Sequence, residues 1–200
     1  MAGTASPYGF RPVQRLGGNP FSGSTRSFAV TTNNTAAIYT GDLVTINAGV
    51  PTVISATPIP TRGTTTPIGV FMGCEFVNVT TKQPQWSQYL PAGAVTAGHT
   101  KIKIYVLDDP FCLFQVQAGG AVTAASIGLN TTVILTTAGS AVTGNSGQFI
   151  SASAVALTAT FAVRIVDLVD APGSTAGDAF TDCIVMFNAG VHAYMNATGA

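Results

Sequence analysis

Ser146 stands in the run Gly144-Asn145-Ser146-Gly147, a small-residue bend of the kind that can expose a nucleophilic hydroxyl. Such a hydroxyl needs a histidine base and an acid to orient that base, and His99, Asp108 and Ser146 follow one another in that order. The spacing gives them no room. His99 and Asp108 flank a single strand-like run, and residues 136–148, TTAGSAVTGNSGQ, read as a plain small-residue loop. Asp108-Asp109 precedes Pro110 and is a turn rather than an acid/base pair. No phosphate-binding glycine motif accompanies these residues. The chain is expected not to be an enzyme, with no catalytic residue and no small-molecule substrate.

Metal and redox chemistry are equally poorly served. Cys74, Cys112 and Cys183 lie far apart, each inside an apolar run (VFMGCEF, PFCLFQV, DCIVMF), and only His99 and His192 could join them as soft ligands. No pair has the spacing of a zinc site, so the thiols are expected to be small buried hydrophobes and no metal or cofactor is expected. Asn33, Asn78, Asn130 and Asn196 begin N-x-[ST] triplets, which arise by chance in a chain rich in Thr and Asn. Phe111 and Trp86 are read as core aromatics.

The elements that position these residues are β. Short runs of β-branched and aromatic residues, bounded by Gly, Pro, Asn or Asp, predict strands at 25–31, 36–39, 42–46, 51–56, 67–76, 101–107, 111–117, 131–136, 148–151, 158–169 and 182–187. The clearest alternation puts Ile102, Ile104 and Val106 on one face and Lys101, Lys103 and Tyr105 on the other. It runs into the turn at Asp108-Asp109-Pro110 and then into Phe111 and Leu113, which predicts a hairpin. Helix is confined to one or two turns over 122–127, stopped by Gly128. The expected fold is all-β, a small β-barrel or β-sandwich.

Residues 1–24 differ in kind. They hold Pro7, Pro12, Pro20 and five glycines, with isolated anchors at Tyr8, Phe10, Val13, Leu16 and Phe21. This composition predicts an extended N-terminal arm over 1–24, attached to a β-rich domain over 25–200. Buried aromatic and arginine side chains tend to carry interface energy. Deleting residues 1–20 is therefore expected to leave the β domain folded.

Composition restricts what such a protein does. Among 200 residues there are eight acidic and eight basic groups, a charged fraction of 8% with formal net charge zero, where soluble domains carry about 25%. A 46% apolar content excludes disorder, and the scarcity of clustered Lys and Arg argues against nucleic-acid binding. The first thirty residues lack an apolar signal-peptide core, and polar residues break every apolar run between Asp109 and Arg164. Synthesis in the cytoplasm and no membrane contact are expected. A nearly uncharged surface favours association. Arg11, Arg15, Arg26, Arg62, Lys82, Lys101 and Lys103 all precede residue 104, whereas six of the eight acids follow it, a polarity that could orient packed copies.

Several segments in order along the chain resemble one group of virion proteins. They are Ser6-Pro7-Tyr8-Gly9-Phe10-Arg11-Pro12-Val13, Tyr39-Thr40-Gly41-Asp42-Leu43-Val44, Pro67-Ile68-Gly69-Val70-Phe71 and Tyr89-Leu90-Pro91-Ala92-Gly93. Val106-Leu107-Asp108-Asp109-Pro110, Phe114-Gln115-Val116-Gln117, Ile127-Gly128-Leu129-Asn130 and the loop from Gly139 to Gly147 continue the series. Together they resemble the capsid decoration, or cement, proteins of tailed bacteriophages. The resemblance implies a homotrimer on the outer capsid surface of the virion, bound to the major capsid protein and locking the shell against internal pressure. It implies shell contact by Tyr8, Phe10, Arg11 and Arg15. The alternative expectation is a phage tail-tube or fibre subunit.

Overall fold

A computed structural model of the protein describes residues 3–31, 34–47, 50–53 and 66–195. The described chain is nearly all β, with curled antiparallel sheets forming a half-barrel. In chain order the strands are β1 (Arg11–Arg15), β2 (Arg26–Ala29), β3 (Ile38–Tyr39), β4 (Leu43–Asn47), β5 (Val50–Val53), β6 (Gly69–Val77), β7 (Pro84–Ser87) and β8 (Tyr89–Leu90). The second half adds β9 (Thr100–Leu107), β10 (Cys112–Gln117), β11 (Asn130–Thr131), β12 (Val133–Ile134), β13 (Phe149–Ile150), β14 (Val163–Leu168) and β15 (Asp182–Phe187). One sheet runs β1-β10-β15-β14-β11; a larger one runs β2-β9-β6-β4-β5, with β7 also paired to β6. β12-β13 and β3-β8 form two small pairs.

Side-chain alternation explains how the larger sheet serves two cores. Val44, Phe71, Ile104 and Val106 point to one side, with Ile38, Ile68, Phe76 and Leu90. Their neighbours Leu43, Val70 and Leu107 point to the other, into a core shared with the smaller sheet. That shared core holds Phe114, Val116, Ile165, Val185 and Phe187. Burying each such side chain contributes about 1.5–3 kcal/mol. Phe114 adds edge-on ring contacts to Phe10 at 6.1 Å and Phe187 at 5.6 Å, a geometry that favours the aromatic quadrupoles.

The hairpin expected after β9 does not form. β9 already has β2 and β6 on its two sides, so the chain crosses at Asp108-Asp109 to the other sheet, where β10 pairs with β1 and β15. The helical expectation over 122–127 reduces to a 3-10 turn, Ala124–Ser126, ended before Gly128 at φ +87°. Trp86 and Phe111, expected in the core, are 58% and 46% exposed. Residues 54–56 of one expected strand lie outside the described residues, as do Asn33, Arg62 and Asn196.

Candidate interaction surface

The N-terminal segment is extended, yet it is built into the domain. Phe10 is 1% exposed and belongs to the shared core. Its main-chain N–H donates to the Gly41 carbonyl at 3.0 Å, and the Gly9 N–H donates to Gln148 at 3.2 Å. Gly9 has φ +76°, and a Cβ there would come within 2.5 Å of the Ser146 Cβ, so only glycine fits this crossing. β1 then pairs antiparallel with β10, with an irregularity between Pro12 and Gln14. The core thus includes residues on both sides of the expected boundary at residue 24, and Phe10 is not a free anchor.

The other expected contact residues remain at the surface. Arg11 is exposed, its guanidinium 4.4 Å from the centre of the Tyr8 ring. Tyr8 is half-buried; burial first, and the nearby Asp182 charge second, push its phenol above the ordinary range, so it stays neutral. Arg15 reaches Asp109 at 2.6 Å, and its side chain remains half exposed. Val13 and Leu16 on or beside β1, and Phe111 opposite Leu16, are each more than two-fifths exposed. The Leu16 N–H donates to the Phe111 carbonyl at 2.8 Å, which brings two sequence-distant apolar side chains to one edge. Val13 and Leu16 were legible as isolated anchors; Phe111 was not, because its role depends on this pairing.

β1 is the outer strand of its sheet. On its far side, the turn at Gly17 and Gly18 folds back so that Asn19 accepts from Arg15 at 2.8 Å and Pro20 sits opposite Gln14. Pro12, an irregular register and two arginines also discourage another strand from adding there. Contact at this edge is therefore suited to side chains rather than to backbone extension of the sheet.

A hollow of about 430 Å³ lies beside the edge, lined by Tyr8, Arg11, Ser140, Thr143 and Asn145. Its floor hides a clasp. Ser146 Oγ donates to Asp42 Oδ1 at 2.6 Å, and the Tyr39 N–H donates to Asp42 Oδ2 at 2.7 Å. Burial raises the Asp42 carboxyl to about 6, against hydrogen bonds from Ser146 and Tyr39 that lower it. The pair closes the 139–147 loop onto the Tyr39–Asp42 bend and onto the N-terminal segment.

The structure separates the three residues of the possible catalytic triad. His99 and Asp108 stand beyond opposite ends of the eight-residue β9, roughly 30 Å apart for an extended strand. His99 Nδ1 accepts from the Val79 N–H at 3.3 Å, and Asp108 pairs with Arg26 at 2.9 Å. Ser146 is 2% exposed and committed to Asp42. The cysteines are free and buried; burial pushes each thiol up to about 12, which keeps it protonated and unreactive. Among the described residues no group of three His, Cys, Asp or Glu could hold a metal ion, and no helix is long and apolar enough to cross a membrane.

No family model, no curated protein and no solved structure matches the chain.

Proposed function

We propose that the protein is a virion structural protein that decorates the outer surface of a tailed-phage capsid, binding the major capsid protein as a homotrimer. The observation that carries this reading is the β1 edge. It sets Arg11 and Arg15 among the exposed Val13, Leu16 and Phe111 on a strand anchored by the buried Phe10. Arginine and large apolar side chains on a rigid base are the composition of an interface core, and rigidity lowers the entropy lost on docking. The first of the sequence segments that resemble cement proteins, residues 6–13, runs into this edge and includes Arg11 and Val13. A nearly uncharged exterior suits a protein largely covered by neighbours.

Heads purified without the protein test the reading by add-back. Bound copies on the exterior, and greater resistance of filled heads to heat, are the expected result. The double variant Arg11→Ala/Arg15→Ala should bind less, with a reduced dependence on salt. Absence from heads, or copies on isolated tails, removes the decoration reading in favour of a tail subunit.

A further inference from the structure

The outward face of β6, β7 and β9 carries a second surface, separate from the β1 edge. Register places Trp86, Glu75, Lys103 and Ala29 in one row across four strands, with Gly73, Tyr105 and Ser27 in the row beside it. Trp86 is the only tryptophan of the chain and 58% exposed. Its six-membered ring covers Gly73: a Cβ on that glycine would come within 2.7 Å of the ring, and its φ of +143° is one that side chains rarely adopt. Tyr105 lies alongside, 5.2 Å from Trp86 between ring centres and tilted by 44°. An aromatic pair is thus seated on the sheet and presented to solvent.

Fixed charge flanks the pair. Lys103 reaches Glu75 at 3.1 Å, and Tyr105 also bonds the Glu75 carboxylate, holding it below the ordinary carboxylate range. The next row leads into a shallow hollow of about 400 Å³ lined by Ala29, Val77, Pro84 and Lys101. Lys101 is held at φ +53°, in the left-handed region, and Lys82 at +57° in the turn between β6 and β7. Among the described residues neither lysine has a carboxylate at ion-pair distance. Strained backbone maintained beside an open hollow is a feature of binding surfaces.

We propose that this face binds an acidic polysaccharide. The apolar C–H face of a sugar ring matches an exposed indole, whereas its hydroxyls need donors and acceptors at the rim, which Glu75, Lys103 and Tyr105 supply. The uncompensated Lys101, which lines the hollow, selects a carboxylate-bearing sugar over a neutral one. From Tyr105 to Lys101 the strand advances four residues, about 14 Å, so the ligand is a chain of sugars rather than a single small molecule. This activity goes beyond shell binding and rests on different residues.

The lone tryptophan makes the test direct. The whole protein is titrated with alginate oligosaccharides, which are uronic-acid chains, and separately with neutral dextran, while Trp86 emission is followed. A saturable blue shift with alginate, absent with dextran, is expected. Lys101→Gln should weaken binding about tenfold, the worth of one charge-assisted contact. Trp86→Ala, checked for folding by circular dichroism, should lose the heat of binding in calorimetry. No response to alginate overturns the proposal, and an equal response to dextran overturns its acidic selectivity. Emission that shifts to the red on dilution without sugar overturns it in favour of a second copy covering the face. Head add-back does not depend on any of these outcomes, so the two readings fail separately.

Discussion

Asp42 is a carboxylate whose surroundings favour the proton. The ordinary value of 3.8 rises to about 6 because burial outweighs its two hydrogen bonds. Between these values the folded protein holds a proton that the unfolded chain has released, so stability falls as pH rises through that window and is level above it. The change is on the order of 3 kcal/mol. Chemical denaturation at pH 4 and pH 7 should show this loss, and Asp42→Asn should remove it. Ser146→Ala leaves a buried carboxylate oxygen without its partner and is expected to cost about 1–3 kcal/mol at pH 7. An activity probe would find nothing at Ser146, since its hydroxyl is 2% exposed.

The N-terminal segment is extended like an arm, with β1 exposed at the sheet edge and Phe10, just before it, packed into the core. Phe10→Ala is expected to destabilise the fold by about 3–5 kcal/mol in denaturant titration, because the ring is surrounded by Phe114 and its neighbours. Deleting residues 1–20 should therefore unfold or severely weaken the domain, contrary to the expectation from sequence. Arg11→Ala/Arg15→Ala should shift stability by about 1 kcal/mol, since the one ion pair involved is half exposed at Arg15 and partly buried at Asp109. Loss of head binding in that variant would then report on contact and not on folding.

These contrasts show which features local pattern carries. The strand at 182–187 and the alternation of Ile102, Ile104 and Val106 were legible because one-sided burial leaves a period of two. β1 was not, since Pro12 and two exposed arginines mask a strand whose partner lies about a hundred residues away. Turn chemistry at Asp108-Asp109-Pro110 announced a reversal, but whether the chain returns beside β9 or changes sheet depends on strands already occupying both sides. Tyr8, Arg11 and Arg15 could be singled out from sequence; the clasp of Asp42 with Ser146, 104 residues apart, could not. Trp86 reads as core in sequence because nothing local shows that its ring lies over Gly73 on the outward face of β6.

Across the whole molecule, basic and acidic groups are unevenly placed, with Arg164 on β14 the one basic group after residue 104. Arg11 and Arg15 lie on the β1 edge, while Asp182 is on β15, Asp167 is on β14, and Asp170 and Asp178 are in the connection between them. Copies that set the β1 edge against the Asp167, Asp170 and Asp178 stretch of a neighbour would bring unlike charges together, whereas two β1 edges facing each other would bring arginines together. If the proposed trimer uses this arrangement, sedimentation should show it loosening as salt rises from about 0.05 M to about 0.5 M, over which exposed charges become screened. An assembly indifferent to salt would place its stability in apolar contact instead.

The central position of β10 between β1 and β15 has a consequence for synthesis. The first strand stays unpaired until residue 117 has emerged from the ribosome, and the sheet stays open until residue 187 has followed. This sheet therefore closes late, and slowly because distant segments must meet before either is stabilised, on the order of milliseconds to seconds. A nascent chain stalled before β15 should be digested readily by protease, and the finished chain should not.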